Sequence, residues 1–253
     1  MASDNPSDLS SRGALAVRSR GRGPVVFLAL AAAACLVVAI AAGLAARADL
    51  TRRPTTAQRA AAAAKAVADR WRDWSAGRIF PATLSYSTTL LTTETASRVG
   101  VAKQVTCVSA IKPSLDGLAT SDHCQAGLRA TYVDQLDGVV YTVGVLAFPN
   151  SRDAGAFAAR LPAQGGLISL LPLALPDTAS AQFGPATGQA ATASHGGPFV
   201  VLTVAGYADG QPAGPGQQAR PSIFAPAAQL ASEVIGPLTR PVTVNCSTQA
   251  WSC

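Results

Sequence analysis

Ser121-Asp122-His123 sets the three residue types of an acyl-transfer triad side by side. In a working triad the base and the acid converge on the nucleophile from separate chain segments, which three consecutive residues cannot do. A nucleophilic site here would need Asp122 and His123 together with a distant residue. The chain offers few. Its only histidines are His123 and His195, and its only glutamates are Glu94 and Glu233. His195-Gly196-Gly197 reads as a turn leading into a strand, and His123 beside Cys124 reads as loop structure. Asp134 and Asp137 fall in a loop between two apolar runs, where aspartates are common turn residues. There is no G-x-S-x-G elbow, H-E-x-x-H, P-loop or dinucleotide fingerprint. No catalytic, cofactor-binding or metal-ligating residue is assigned, and no cofactor is expected.

Five cysteines carry more information. Cys35 sits inside a long apolar run. The other four, Cys107, Cys124, Cys246 and Cys253, show no C-x-x-C spacing, and two histidines are too few for a zinc-finger pattern. An even count beyond an apolar segment points to two disulfides in an oxidising compartment. Four cysteines allow three connectivities. The local pairs, Cys107–Cys124 and Cys246–Cys253, are favoured because loop-like sequence separates the members of each.

Those cysteines must be held outside the cytoplasm, and the apolar segment is the device. Pro24 to Ala46 contains no charged residue. At ~1.5 Å per residue a helix of this length spans the ~30 Å hydrocarbon core. Helix is required there because lipid cannot satisfy backbone polar groups. Arginines at 12, 18, 20 and 22 precede it, and Arg47, Arg52 and Arg53 follow. Their slight asymmetry, joined to the cysteine argument, predicts a cytoplasmic N-terminus and an extracytoplasmic body. Ala46-Arg47-Ala48 fits a small-x-small cleavage pattern, but the apolar run exceeds the ~7–15 residues of a signal h-region, which favours an uncleaved signal anchor. Lipidation of Cys35 is disfavoured, since that residue lies mid-stretch instead of ending it.

The formal charge of +6 does not imply a nucleic-acid partner. Residues 1–53 hold seven arginines and three aspartates, so most of the excess flanks the membrane segment. The remainder is close to neutral, without the basic face a nucleic-acid binder presents.

Four parts are therefore expected: an Arg-rich cytoplasmic tail (1–23), a transmembrane helix (24–46), a juxtamembrane amphipathic helix (47–77) and an extracytoplasmic α+β domain (78–253). In the third, Thr55 and Gln58 have capping-box spacing. Ala60, Ala64, Val67, Trp71 and Trp74 then form one apolar stripe, Lys65 can pair with Asp69, and Gly77 is a plausible stop. Trp71 and Trp74 either pack on the domain or form an interaction face. In the body, Gly127–Val133 and Val139–Phe148 read as a hairpin around a glycine-ended loop, followed by a helix from Ser151 to about Leu161. Residues 81–91 read as extended, Thr95–Val99 as a short helix, Thr178–Phe183 as a short strand and Pro198–Tyr207 as a clear strand. A Pro/Gly-rich loop follows, and then a helix from Phe224 to Leu238. The order hairpin, helix, hairpin, helix hints at a duplication. An antiparallel sheet with helices packed on one face is the expected class.

Several stretches give the chain a resemblance: the Ala/Arg-rich N-terminal region, WRDWSAGRIFP (Trp71 to Pro81), LRATYVD (Leu128 to Asp134), AGYADG (Ala205 to Gly210) and CSTQAWSC (Cys246 to Cys253). It resembles uncharacterised bitopic membrane proteins of actinobacteria, and its Ala, Arg, Gly and Pro usage fits a GC-rich genome. The resemblance implies compartment and architecture and assigns no functional residue. The expected role is a membrane-anchored, non-enzymatic binding or accessory domain of the cell envelope, touching the bilayer and an envelope protein. Its alternatives are an envelope hydrolase using Asp122 and His123, or a small-ligand sensor with a pocket lined by Leu167 to Leu175.

Overall fold

The computed structural model describes residues 23–52, 54–88, 90, 92–161, 169–212 and 221–246. One unit contains α1, Gly23–Thr51; the chain from Pro54 builds a second. Within α1, Val26–Asp49 is long and apolar enough to cross a membrane. Its large apolar side chains are solvent-facing, Phe27 at 73% and Val38 at 67% exposure. The helix ends at Thr51, three residues before Pro54.

The second unit is α+β. Six antiparallel strands run in the order β1-β2-β3-β4-β6-β5: β1 Thr83–Ser87, β2 Thr93–Val101, β3 Ala126–Val133, β4 Val139–Ala147, β5 Gly188–Gly196 and β6 Phe199–Tyr207. Strand alternation divides the core in two. On the first face, Tyr132, Tyr141, Val143, Phe199 and Val201 meet α9, Pro226–Thr239, through Leu230, Ala231, Val234 and Leu238. On the second, Val140, Leu146, Val200 and Leu202 meet α5 (Cys107–Ala110), α7 (Ser151–Arg160) and the segment 169–183. Helices therefore cover both faces. The order hairpin, helix, hairpin, helix holds with β5 in place of Thr178–Phe183, but α7 and α9 lie on opposite sides of the sheet.

The sheet curls around α9, which touches β1 and β5 at opposite ends of the strand order. Its Gln229 ties down the end of the β1 edge: the side-chain oxygen accepts from Ser87 N at 2.8 Å and the amide donates to Ser87 O at 2.9 Å. The β3–β4 hairpin forms as read. Asp134 Oδ1 accepts from Gly138 N and Val139 N at 2.7 and 2.9 Å, and Asp137 takes φ +53°.

Three local expectations are corrected. Thr95–Val99 is part of β2, because pairing with both β1 and β3 overrides a weak local helical preference. Thr178–Phe183 forms turns instead of a strand: Thr178 Oγ1 donates to Leu175 O and accepts from Ser180 N, and Phe183 N bonds Ser180 O. The stripe ending at Gly77 is not one helix. It breaks into α2 (Thr56–Ala68), α3 (Arg70–Asp73) and α4 (Ala76–Ile79), with Gly77 inside the last. The capping box at Thr55 and Gln58 is present, as is the Lys65–Asp69 pair at 2.5 Å. The remaining elements are a 3-10 turn at Pro113–Leu115, α6, Asp116–Ser121, and α8, Pro221–Phe224. β5 has no counterpart among the sequence expectations.

Candidate functional site

The best-equipped corner lies on the crossing from β2 to β3. Cys107 opens α5 and Cys124 follows α6; their disulfide, at a Cα–Cα distance of 6.3 Å, draws the two helices together. His123 precedes Cys124 in a left-handed conformation, φ +59°. That conformation points the histidine outward, 72% exposed, with Nδ1 3.6 Å from Asp153 Oδ2 in the first turn of α7. Asp122 points the other way. It is buried, and its Oδ1 pairs with Arg160 Nη2 at the far end of α7. Ser121 Oγ donates to Leu118 O at 2.9 Å.

The three triad residue types thus diverge, each to a different partner. No hydroxyl or thiol hydrogen-bonds to His123 among the described residues. An imidazole beside a carboxylate with no nucleophile can hold a cation or a proton but cannot start acyl transfer. His195, at the exposed end of β5, lies on α7 where Gly155 leaves room for its ring; a Cβ there would stand 3.5 Å from Cε1. The described residues contain no cluster of three or more His, Cys, Asp or Glu able to hold a metal ion.

The predicted Cys107–Cys124 bridge is present. Cys246 is also disulfide-bonded, while Cys253, its expected partner, lies outside the described residues. Cys35 is free and exposed on α1. Trp71 and Trp74, each half-buried, pack against the first core. Arginines stack on both: Arg72 over Trp71 at 4.6 Å, and Arg70 and Arg78 over Trp74 at 5.0 and 3.8 Å. Arg70 also donates to Pro237 O and Leu238 O, capping the C-terminus of α9 at 3.1 and 2.8 Å. Burial lowers its pKa, with Arg78 nearby adding to the effect.

A buried polar ladder on the second face was not foreseen. Arg129 Nη1 donates to Leu171 O at 2.9 Å, and Thr131 Oγ1 donates to Leu173 O at 2.7 Å. Thr142 Oγ1 accepts from Leu173 N at 3.0 Å. Burial lowers the Arg129 pKa. These bonds clamp the apolar segment over the sheet. Leu170 seats against Gly144, where any Cβ would collide with it, and Leu175 seats against Gly100 in the same way. The stretch expected to line a pocket is, from 169 onward, a plug; Leu167 lies outside the described residues. The signal was readable: Arg129 and Thr131 sit two apart in LRATYV, which puts them on one face.

On the first face, burial raises the pKa of Tyr86, Tyr132 and Tyr141. For Tyr86 the hydrogen bond to Glu94 at 2.9 Å adds to burial. Comparison with known proteins adds no relative: no family model, no curated protein and no solved structure matches the chain.

Proposed function

We propose that this chain is a single-pass protein of a bacterial cell membrane, its N-terminus cytoplasmic and its body outside. We take it to act as a non-enzymatic binding or accessory domain of the cell envelope. The observation that carries the anchor is the surface of α1, whose large apolar side chains from Val26 to Leu44 stand 54–73% exposed. A contiguous surface of that kind calls for lipid. The Cys107–Cys124 bridge supports an oxidising compartment for the body. The binding role is supported by how the polar groups are used. Arg70, Asp122, Arg129, Thr131 and Thr142 each bond to a neighbouring segment and build a scaffold.

Membranes holding the full chain test the topology. Retention through carbonate extraction and digestion of the body by protease added from outside are the expected results. Release by carbonate, or a body protected from outside, overturns it. Photo-crosslinking from the body in the same membranes should recover one specific partner. Recovery of none refutes the binding role.

A further inference from the structure

The sheet has two edges, the five-residue β1 and the nine-residue β5. Gln229 occupies the β1 edge at Ser87. Among the described residues the β5 edge has no such cover at 191–195. Phe148 N donates to Pro198 O at 2.9 Å, so the even-numbered residues of β6 bond toward β4. In an antiparallel ladder the bonding side alternates residue by residue. Phe199, Val201 and Thr203 therefore bond toward β5, where they pair with Gly196, Ser194 and Thr192. Ala191, Ala193 and His195 are left with N–H and C=O turned outward. Ala193 and His195 are exposed, and no group among the described residues hydrogen-bonds those outward positions.

Natural edges are blunted by charge, proline, bulges or short length, and the one register shift of β5 lies between Gly188 and Ala190, short of positions 191–195. β5 reads GQAATASHG: nine residues with no Asp, Glu, Lys, Arg or Pro. Such a strand accepts another strand, and its chemistry selects the occupant. An antiparallel pair about a two-fold axis needs a self-complementary strand. The outward positions 191, 193 and 195 are symmetric about Ala193. A neutral strand meets no like charge in its own copy. Alanine at 191 and 193 leaves the approach open there, and the His195 ring lies against Gly155 of α7.

We propose that β5 pairs with β5 of a second copy of this chain. Ala193 lies on the two-fold axis and Ala191 lies opposite His195, with about six backbone hydrogen bonds joining two sheets into one. The edge geometry stands by itself. The inference rests on the anchored-domain reading only in that anchors confine both copies to one plane and raise their effective concentration.

The test uses the full chain in membranes, with Cys35→Ala to remove the free thiol. Ala193→Cys places two thiols across a bonded pair, where Cα atoms lie ~5.5 Å apart, within disulfide range. Mild oxidation should give a disulfide-linked homodimer several-fold faster than Leu136→Cys, an exposed reference at the β3–β4 hairpin tip. Ala193→Lys, on the otherwise native chain, should shift the detergent-solubilised protein from dimer to monomer with the Cys107–Cys124 bridge intact. The inference is overturned if Ala193→Cys crosslinks no faster than Leu136→Cys, or if it crosslinks to a different protein instead of to itself. Carbonate extraction of the same membranes reports on the anchor, so either reading can fail alone.

Discussion

Substituting Gly144 by alanine tests whether the 169–183 segment is a plug or the lid of a cavity. The added Cβ would collide with Leu170 Cδ1, and Leu170 is 1% exposed. Overpacking of this kind costs about 1–3 kcal/mol. Leu170→Ala alone removes a fully buried leucine and should cost about 2–5 kcal/mol. The two changes share one space, so the alanine methyl at 144 partly fills the void left at 170. The double variant should be more stable than the sum of the singles by about 1–2 kcal/mol. Urea unfolding of the detergent-solubilised chain, followed by tryptophan fluorescence, supplies the four free energies; Trp71 and Trp74 pack on the core and report its loss. A neutral Gly144→Ala, or strict additivity, would refute the plug. It would also revive a ligand pocket beneath Leu170 and with it the sensor reading.

The Cys107–Cys124 bridge closes a loop of sequence separation 17, so Cys107→Ala/Cys124→Ala should lose about 3 kcal/mol in the same urea series. Thr142→Val leaves Leu173 N without its acceptor beneath the plug, and a cost of about 1–3 kcal/mol is expected, with proteolysis becoming faster within 169–183. Tyr86, Tyr132 and Tyr141 have folded-state pKa values raised, chiefly by burial. Their protonated forms contribute stability in full below the ordinary value of about 10, and that contribution is lost as the pH climbs through 10 toward the raised values. Phenolate absorbance should accordingly rise in step with alkaline unfolding; ionisation of all three at about pH 10 in a still-folded protein would contradict their burial.

Much of the architecture is written locally. The β3–β4 hairpin has strong apolar strands, an Asp134 that caps its own turn and a glycine at the loop end. The Thr55–Gln58 capping box needs only four residues. β5 is the opposite case: GQAATASHG has neither the bulk nor the strict alternation that marks a strand, and it forms because β6 offers a ladder. Thr95–Val99 is strand for the same reason, since β1 and β3 offer it ladders on both sides. The outcome at Ser121-Asp122-His123 was also beyond local reach, since whether neighbours converge or diverge depends on where α7 places Asp153 and Arg160.

By itself, then, the sequence determined the long apolar helix, the α+β class and the central strands, and it favoured the pairing of Cys107 with Cys124, because each rests on hydrophobicity, composition or short-range spacing. Tertiary structure alone decided the rest. It seated Leu170 on Gly144, turned Arg129 and Thr131 into a clamp, tied the end of one sheet edge to Gln229 and left the other, at Ala193, unbonded among the described residues. Each of these joins residues far apart in the chain, and which residues meet is a property of packing that no local pattern encodes.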